Sequence, residues 1–278
     1  MKISKTSLKK TIISLLPQFF LYYLRKKISL VRIPDNRKSI VSDLFPFRIK
    51  NGWETHFELL NLPSLIDPND DQSVSYCVKF IFFDESGNIF HEWITEVKGC
   101  NRRTICLNDI LYDKSISGYG TFACFHKKYL TNLVSQGAFL AERGYTGYLN
   151  KSISNVKGYV HGNLDALAMS YDDKLMCLGK NHFNKKEFRL QHQLKGSANY
   201  ELGFVNTSDK SEVLTLEILQ ENKVAKKIQK YLPSKGIIWI SHRLNDEENA
   251  RIIIYSRLNL PRPVVFRIMD NSFDVFHG

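Results

Sequence analysis

The chain has 278 residues, of which 43% are apolar and 24% charged, the proportions of a folded globular protein and not of a disordered chain or one embedded throughout in a membrane. That length suits two domains, each able to bury its own core. The formal net charge of +11 is concentrated at the start: residues 1–38 carry ten Lys/Arg against Asp35 alone, leaving 29 basic and 27 acidic groups on residues 39–278. A duplex-binding domain carries its surplus on the folded surface, so nucleic acid is not expected as a partner.

The first element is the apolar stretch 11–24, bracketed by Lys9 and Lys10 on one side and Arg25, Lys26 and Lys27 on the other. A helix of that length rises only ~21 Å, short of the ~30 Å hydrocarbon core, so it is not expected to span a bilayer. A basic triplet stands where a secretory signal would place its small-residue cleavage site. Lys10, Ser14, Gln18 and Arg25 fall near one narrow stripe and leave a wide apolar face that includes Phe19, Phe20, Tyr22 and Tyr23. The pattern predicts an amphipathic helix over part of residues 1–38, lying at the cytoplasmic surface of an inner membrane, with Pro17 kinking it. The plainer alternative is a helix packed across the rest of the molecule. The segment resembles the amphipathic leaders of enzymes of bacterial surface-polysaccharide assembly.

Beyond residue 40 the period is two. Strands are predicted at 55–60, 75–83, 89–97, 103–107, 121–126, 199–205, 212–219, 237–241, 251–256 and 264–268, with hairpin turns at 84–88 and 219–223. Cys77, Cys100, Cys106, Cys124 and Cys177 are odd in number, lack Cys-x-x-Cys spacing and read as reduced thiols. No metal site or cofactor is expected from their spacing.

The order of signals repeats. Phe57–Asn61, Val78–Gly87, Val97-Lys98-Gly99 and Leu107-Asn108-Asp109 are matched by Leu202–Asn206, Val213–Leu219, Ser234-Lys235-Gly236 and Leu244-Asn245-Asp246, at a constant offset of 137 from Gly99 to Asp109. Short antiparallel strands without a βαβ rhythm predict an all-β fold of two tandem antiparallel β-sandwich modules, residues 39–165 and 166–278, following the basic segment 1–38. Each copy resembles the sensory-rhodopsin-transducer type of β-sandwich over about 70 residues, a likeness that implies a binding or accessory module more than an enzyme.

Each copy ends in a tail that runs from an Arg beside turn formers to a His-Gly. The first tail supplies Arg143, Tyr145, Tyr148, His161, Asn163 and Asp165, and the second Arg257, Asn259, Arg262 and His277. Guanidinium forks suit carboxylate or phosphate, while tyrosine faces and amides suit sugar rings. If the tails meet, the expected ligand is an anionic saccharide, and the function that of a non-catalytic carbohydrate-binding or anionic-ligand-binding protein of surface-polysaccharide biology. The alternatives are an enzyme acting on a glycan or glycoconjugate, with His161 as general base oriented by Asp165, and a purely structural interaction module. An exposed loop pair is the favoured reading of His161 and Asp165. No Gly-x-Ser-x-Gly, P-loop, dinucleotide fingerprint or His-Glu-x-x-His occurs. Oligomeric state has no signature in the chain.

Overall fold

A computed structural model describes residues 31–278 apart from positions 35, 68, 70, 72, 100, 101 and 163. The membrane-surface expectation at Lys9, Lys10, Phe19, Phe20, Tyr22, Tyr23, Arg25, Lys26 and Lys27 lies outside the described residues, as does Asn163. The described strands are β1 (Ile40–Asp43), β2 (Phe45–Arg48), β3 (Trp53–Leu59), β4 (Tyr76–Phe83), β5 (Ile89–Val97), β6 (Arg103–Cys106), β7 (Tyr119–His126), β8 (Ala141–Glu142), β9 (Tyr145–Asn150), β10 (Ser154–His161) and β11 (Asp165–Met169). They continue with β12 (Leu175–Cys177), β13 (Lys186–Arg189), β14 (Leu194–Lys195), β15 (Ala198–Val205), β16 (Glu212–Gln220), β17 (Lys223–Leu232), β18 (Ile237–Leu244), β19 (Asn249–Ser256), β20 (Val264–Met269) and β21 (Ser272–His277). Three one-turn helices interrupt them: α1 (Leu62–Ile66), α2 (Leu107–Leu111) and α3 (Thr131–Ser135).

The fold is mostly β. The strands form five sheets, in the orders β2-β7-β4-β5, β10-β9-β3-β6, β12-β11-β1-β8, β18-β15-β20-β21 and β13-β19-β16-β17, with β14 also on β19. All of these strand pairs are antiparallel except the short β1–β8 pair. The first two sheets and the last two share one topology. β2, β3, β4, β5, β6, β7, β9 and β10 occupy the places that β13, β15, β16, β17, β18, β19, β20 and β21 occupy later in the chain. The sheet holding β1, β8, β11 and β12 has no counterpart among the described residues, and β11 runs across the 165/166 division of the chain.

The apolar pattern follows the layering. Val78, Phe80 and Phe82 on β4 enter a core with Phe45, Phe47, Phe57 and Phe122, while Ile81 and Phe83 on the opposite face enter a second core with Ile40, Leu167 and Met169 of the extra sheet. A strand covered on both faces reads as an unbroken apolar run, which is why Phe80–Phe83 shows no alternation. Phe57 meets Phe45, Phe80 and Phe122 edge-on at centroid distances of 5.1, 5.8 and 5.3 Å, arrangements favoured by the ring quadrupoles. In the later copy Tyr200, Leu202 and Phe204 pack with Leu214, Leu216, Ile218, Ile252 and Ile254.

The other face of β15, β18 and β20 is the seam between the copies. Phe266 and Phe273 pack against Trp53 and Tyr148, while Val205 and Ile237 join Ile81 and Phe83. The β4–β5 turn plugs into the second copy, since Ile237 donates its amide to the Glu85 carbonyl at 3.2 Å. Gly87 sits there at φ +81°, and a Cβ on it would lie 1.8 Å from the Ser234 carbonyl oxygen, so only glycine fits. The β16–β17 turn has Glu221 and Asn222 at φ +49° and +64°, both positive as a type I′ hairpin requires. On β17, Lys223, Lys226, Lys227 and Lys230 line a sheet edge, where charge discourages further strand addition.

Candidate functional site

The two tails meet around a space too small for a sugar. β10 and β21 are topological equivalents, and their last residues, His161 and His277, meet edge-on with ring centroids 5.0 Å apart. His277 Nε2 donates to the His161 carbonyl at 2.6 Å. Burial holds His277 below the ordinary imidazole pKa, and the hydrogen bond to the His161 carbonyl offsets part of that shift. Asp43, His161, Arg262 and His277 line a cleft here, yet its cavity volume is about 30 Å³, room for a water or an ion. Arg143, Tyr145, Tyr148, Arg257 and Asn259 do not line it.

Arg143 instead grips Asp165, its Nε and Nη2 donating to Oδ1 at 3.0 and 2.6 Å. His161 Nδ1 contacts the Gly162 carbonyl oxygen, and neither nitrogen contacts Asp165. The expected base and orienting carboxylate are therefore not joined. Tyr148 is a core residue, fully buried against Phe266 and donating its hydroxyl to the Pro46 carbonyl at 2.8 Å, because its parity on β9 turns it inward. Arg257 and Arg262 are exposed and Asn259 half-buried.

Sequence reasoning overlooked Asp43. The residue is 2% exposed, and among the described residues neither carboxylate oxygen has a well-formed hydrogen-bond partner. Burial and then repulsion from Asp165 push its pKa up to about 7, with Arg143 offsetting part of the rise.

The outer face of the β10-β9-β3-β6 sheet holds a denser set of polar and aromatic groups. Cross-strand register places Glu58 beside Thr104 and Tyr145, His56 beside Cys106 and Gly147, and Tyr159 beside Gly147. The Tyr159 ring lies across Gly147, where a Cβ would approach it to 2.6 Å. Tyr145 and Tyr159 are 51% and 42% exposed, and Tyr145 meets the His161 ring at 6.4 Å. Between them Glu58 accepts from Arg102 Nε at 2.7 Å, Thr104 Oγ1 at 2.9 Å and the Tyr159 hydroxyl at 3.3 Å. The Arg102 hydrogen bond, ahead of the Thr104 and Tyr159 contacts, holds the Glu58 carboxyl below its usual range, so it is an anion with fixed lone pairs.

Two further clusters combine histidine, cysteine and a carboxylate. Cys124, His126 and Glu142 are buried together: His126 Nε2 contacts Glu142 Oε2 at 2.6 Å, and Nδ1 contacts the Tyr76 hydroxyl at 3.0 Å. Burial raises the Cys124 thiol well above its ordinary pKa, so this triad-like group has neither a thiolate nor access to solvent. Glu54, His56 and Cys106 form the second cluster, on the tyrosine-bearing face. A groove of about 660 Å³ at the far end of the second copy is lined by Glu221, Asp246, Glu247, Glu248 and Arg251 among other polar residues. It offers no aromatic platform, and its acidic surplus repels anions.

Comparison with known proteins gives no matching family model, no matching curated protein and no matching solved structure. The functional reading therefore rests on the geometry of these sites.

Proposed function

We propose that this protein is a non-catalytic saccharide-binding or anionic-ligand-binding protein built of two tandem β-sandwich modules, which presents the outer face of the β10-β9-β3-β6 sheet to its ligand. The observation that carries the reading is the pair of exposed tyrosines, Tyr145 and Tyr159, flanking the oriented carboxylate of Glu58. An exposed aromatic face stacks on the C–H face of a sugar, while the exposed Arg102 and Thr104, held in place by the buried Glu58, supply polar groups that hydroxyls need. The cationic groups Arg102, Lys151 and Lys157 around Glu54 and Glu58 favour an anionic glycan over a neutral one. The shared eight-strand topology of the two copies supports the modular description.

The alternative of a glycan-acting enzyme with His161 as base loses its orienting group, since Asp165 is engaged by Arg143. No helix among the described residues is long and apolar enough to cross a membrane. The basic segment 1–38 would hold the binding face at the cytoplasmic membrane surface, and a role in bacterial surface-polysaccharide assembly joins these two properties.

Screening the full-length protein and its Tyr159→Ala variant on an array of anionic and neutral glycans tests the binding. Hits that weaken at least tenfold in the variant support it. Hits of equal strength in both proteins, or none in either, contradict it. Flotation of full-length protein and residues 39–278 with anionic liposomes tests attachment, which is expected for the full-length chain and lost from the truncation.

A further inference from the structure

From the cross-strand pair His56 and Cys106 together with Glu54, we infer that the outer face of the β10-β9-β3-β6 sheet contains a three-ligand site for a zinc-class divalent ion. His56 on β3 and Cys106 on β6 are directly opposite in register, and Glu54 lies two residues before His56 on the same face of β3. The ligand atoms of the three residues all lie within 4.8 Å of one another. His56 Nε2 and Glu54 Oε2 are 3.4 Å apart. Two ligand atoms about 2.0 Å from one tetrahedral zinc sit roughly 3.3 Å apart, so this spacing already matches one edge of the coordination polyhedron. In the buried cluster the corresponding nitrogen and oxygen are 2.6 Å apart, and the other ring nitrogen meets Tyr76. That pair is a direct hydrogen bond and not a coordination site.

The surroundings suit a metal. Lys151 Nζ holds Glu54 Oε1 at 2.8 Å, which turns Oε2 toward His56. Coordination converts the Cys106 thiol to a metal-bound thiolate and releases one proton to solvent. A thiolate, an imidazole and a carboxylate form a borderline-soft set that favours zinc-class ions over calcium or magnesium. Glu54 and Cys106 are partly exposed and His56 is buried beneath them, so the fourth position is reached from the Glu54 and Cys106 side by water or a ligand oxygen. The site does not depend on the saccharide reading.

The test is zinc titration of the full-length, fully reduced protein by calorimetry, with cobalt(II) as the spectroscopic probe. One zinc per chain is expected, with a thiolate-to-cobalt charge-transfer band. Both are expected to vanish in Cys106→Ser, to weaken roughly 100-fold or more in His56→Gln, beyond what loss of an orienting partner alone costs, and to persist in Cys77→Ser. Circular dichroism checks that each variant is folded, and Glu54→Gln supplies an independent ligand deletion. Absence of stoichiometric binding, or binding retained at full strength in Cys106→Ser and His56→Gln, overturns the inference.

Discussion

Arg48 of the first copy and Glu201 of the second meet across the seam at 2.5 Å, with the guanidinium centred 4.4 Å from the Trp53 ring, 4.9 Å from Trp239 and 5.0 Å from Phe266. The pair is largely shielded, at 17% and 19% side-chain exposure, so each charge depends on the other for its solvation. Burial pulls the Arg48 pKa down and Glu201 restores part of it. Removing one member leaves a charge among aromatic rings, which costs more than the pair itself contributes. Glu201→Ala is expected to destabilise the protein by about 3 kcal/mol, lowering the melting temperature by roughly 6–12 °C in calorimetry. The double replacement Arg48→Met with Glu201→Leu is expected to recover most of that loss. A single variant melting within 1–2 °C of wild type would show that the seam does not rely on this pair.

The β4–β5 turn is a second lock on the seam. Gly87→Ala forces a Cβ toward the Ser234 carbonyl from a residue at φ +81°. The expected cost is about 2–3 kcal/mol of strain, relieved by partial undocking of the copies. Limited proteolysis between residues 170 and 186 is the readout, with faster cleavage expected in the variant. Unchanged cleavage and unchanged melting would rule out a tightly docked turn.

Asp43 makes stability depend on pH in a direction opposite to that of most carboxylates. Its folded pKa of about 7 lies above the unfolded value, so the folded state holds the proton more tightly. The carboxyl therefore contributes fully below about pH 4, and its contribution is lost as pH rises toward and through 7. The difference at pH 8 amounts to roughly 4 kcal/mol at most. Asp43→Asn, close in shape and uncharged, is expected to be the more stable protein at pH 8 and to approach wild type near pH 4. Urea denaturation of both proteins across this range isolates Asp43 from the histidines, which both share. A variant that is less stable at pH 8 would mean that the carboxylate has a partner there.

All ten strands anticipated from period-two patterning occur in the structure, because aromatic and β-branched residues alternate wherever one face is buried. β17 was missed because nine of its ten residues lie at least partly in solvent and its lysines mask the alternation. β9 and β10 give no strand pattern in the sequence because Gly147 and Gly158 thin out their apolar signal, although Gly147 is what lets Tyr159 lie flat. The two tails meet at His161 and His277, where the His277 ring bonded to the His161 carbonyl occupies the space between them. The groups on the tyrosine-bearing face are spread from Glu54 to His161 in the chain. Only strand register brings them together, and His56 meets Cys106 without any motif spacing to announce it.

The most direct test of the proposed binding face is a titration of the full-length protein with an acidic oligosaccharide, following the ring resonances of its tyrosines by NMR. The account predicts shifts at Tyr145 and Tyr159, none at the buried Tyr148, and loss of saturable binding in a Tyr145→Ala, Tyr159→Ala double variant that remains folded. Saturable binding that leaves both tyrosines unshifted and survives the double substitution would contradict it.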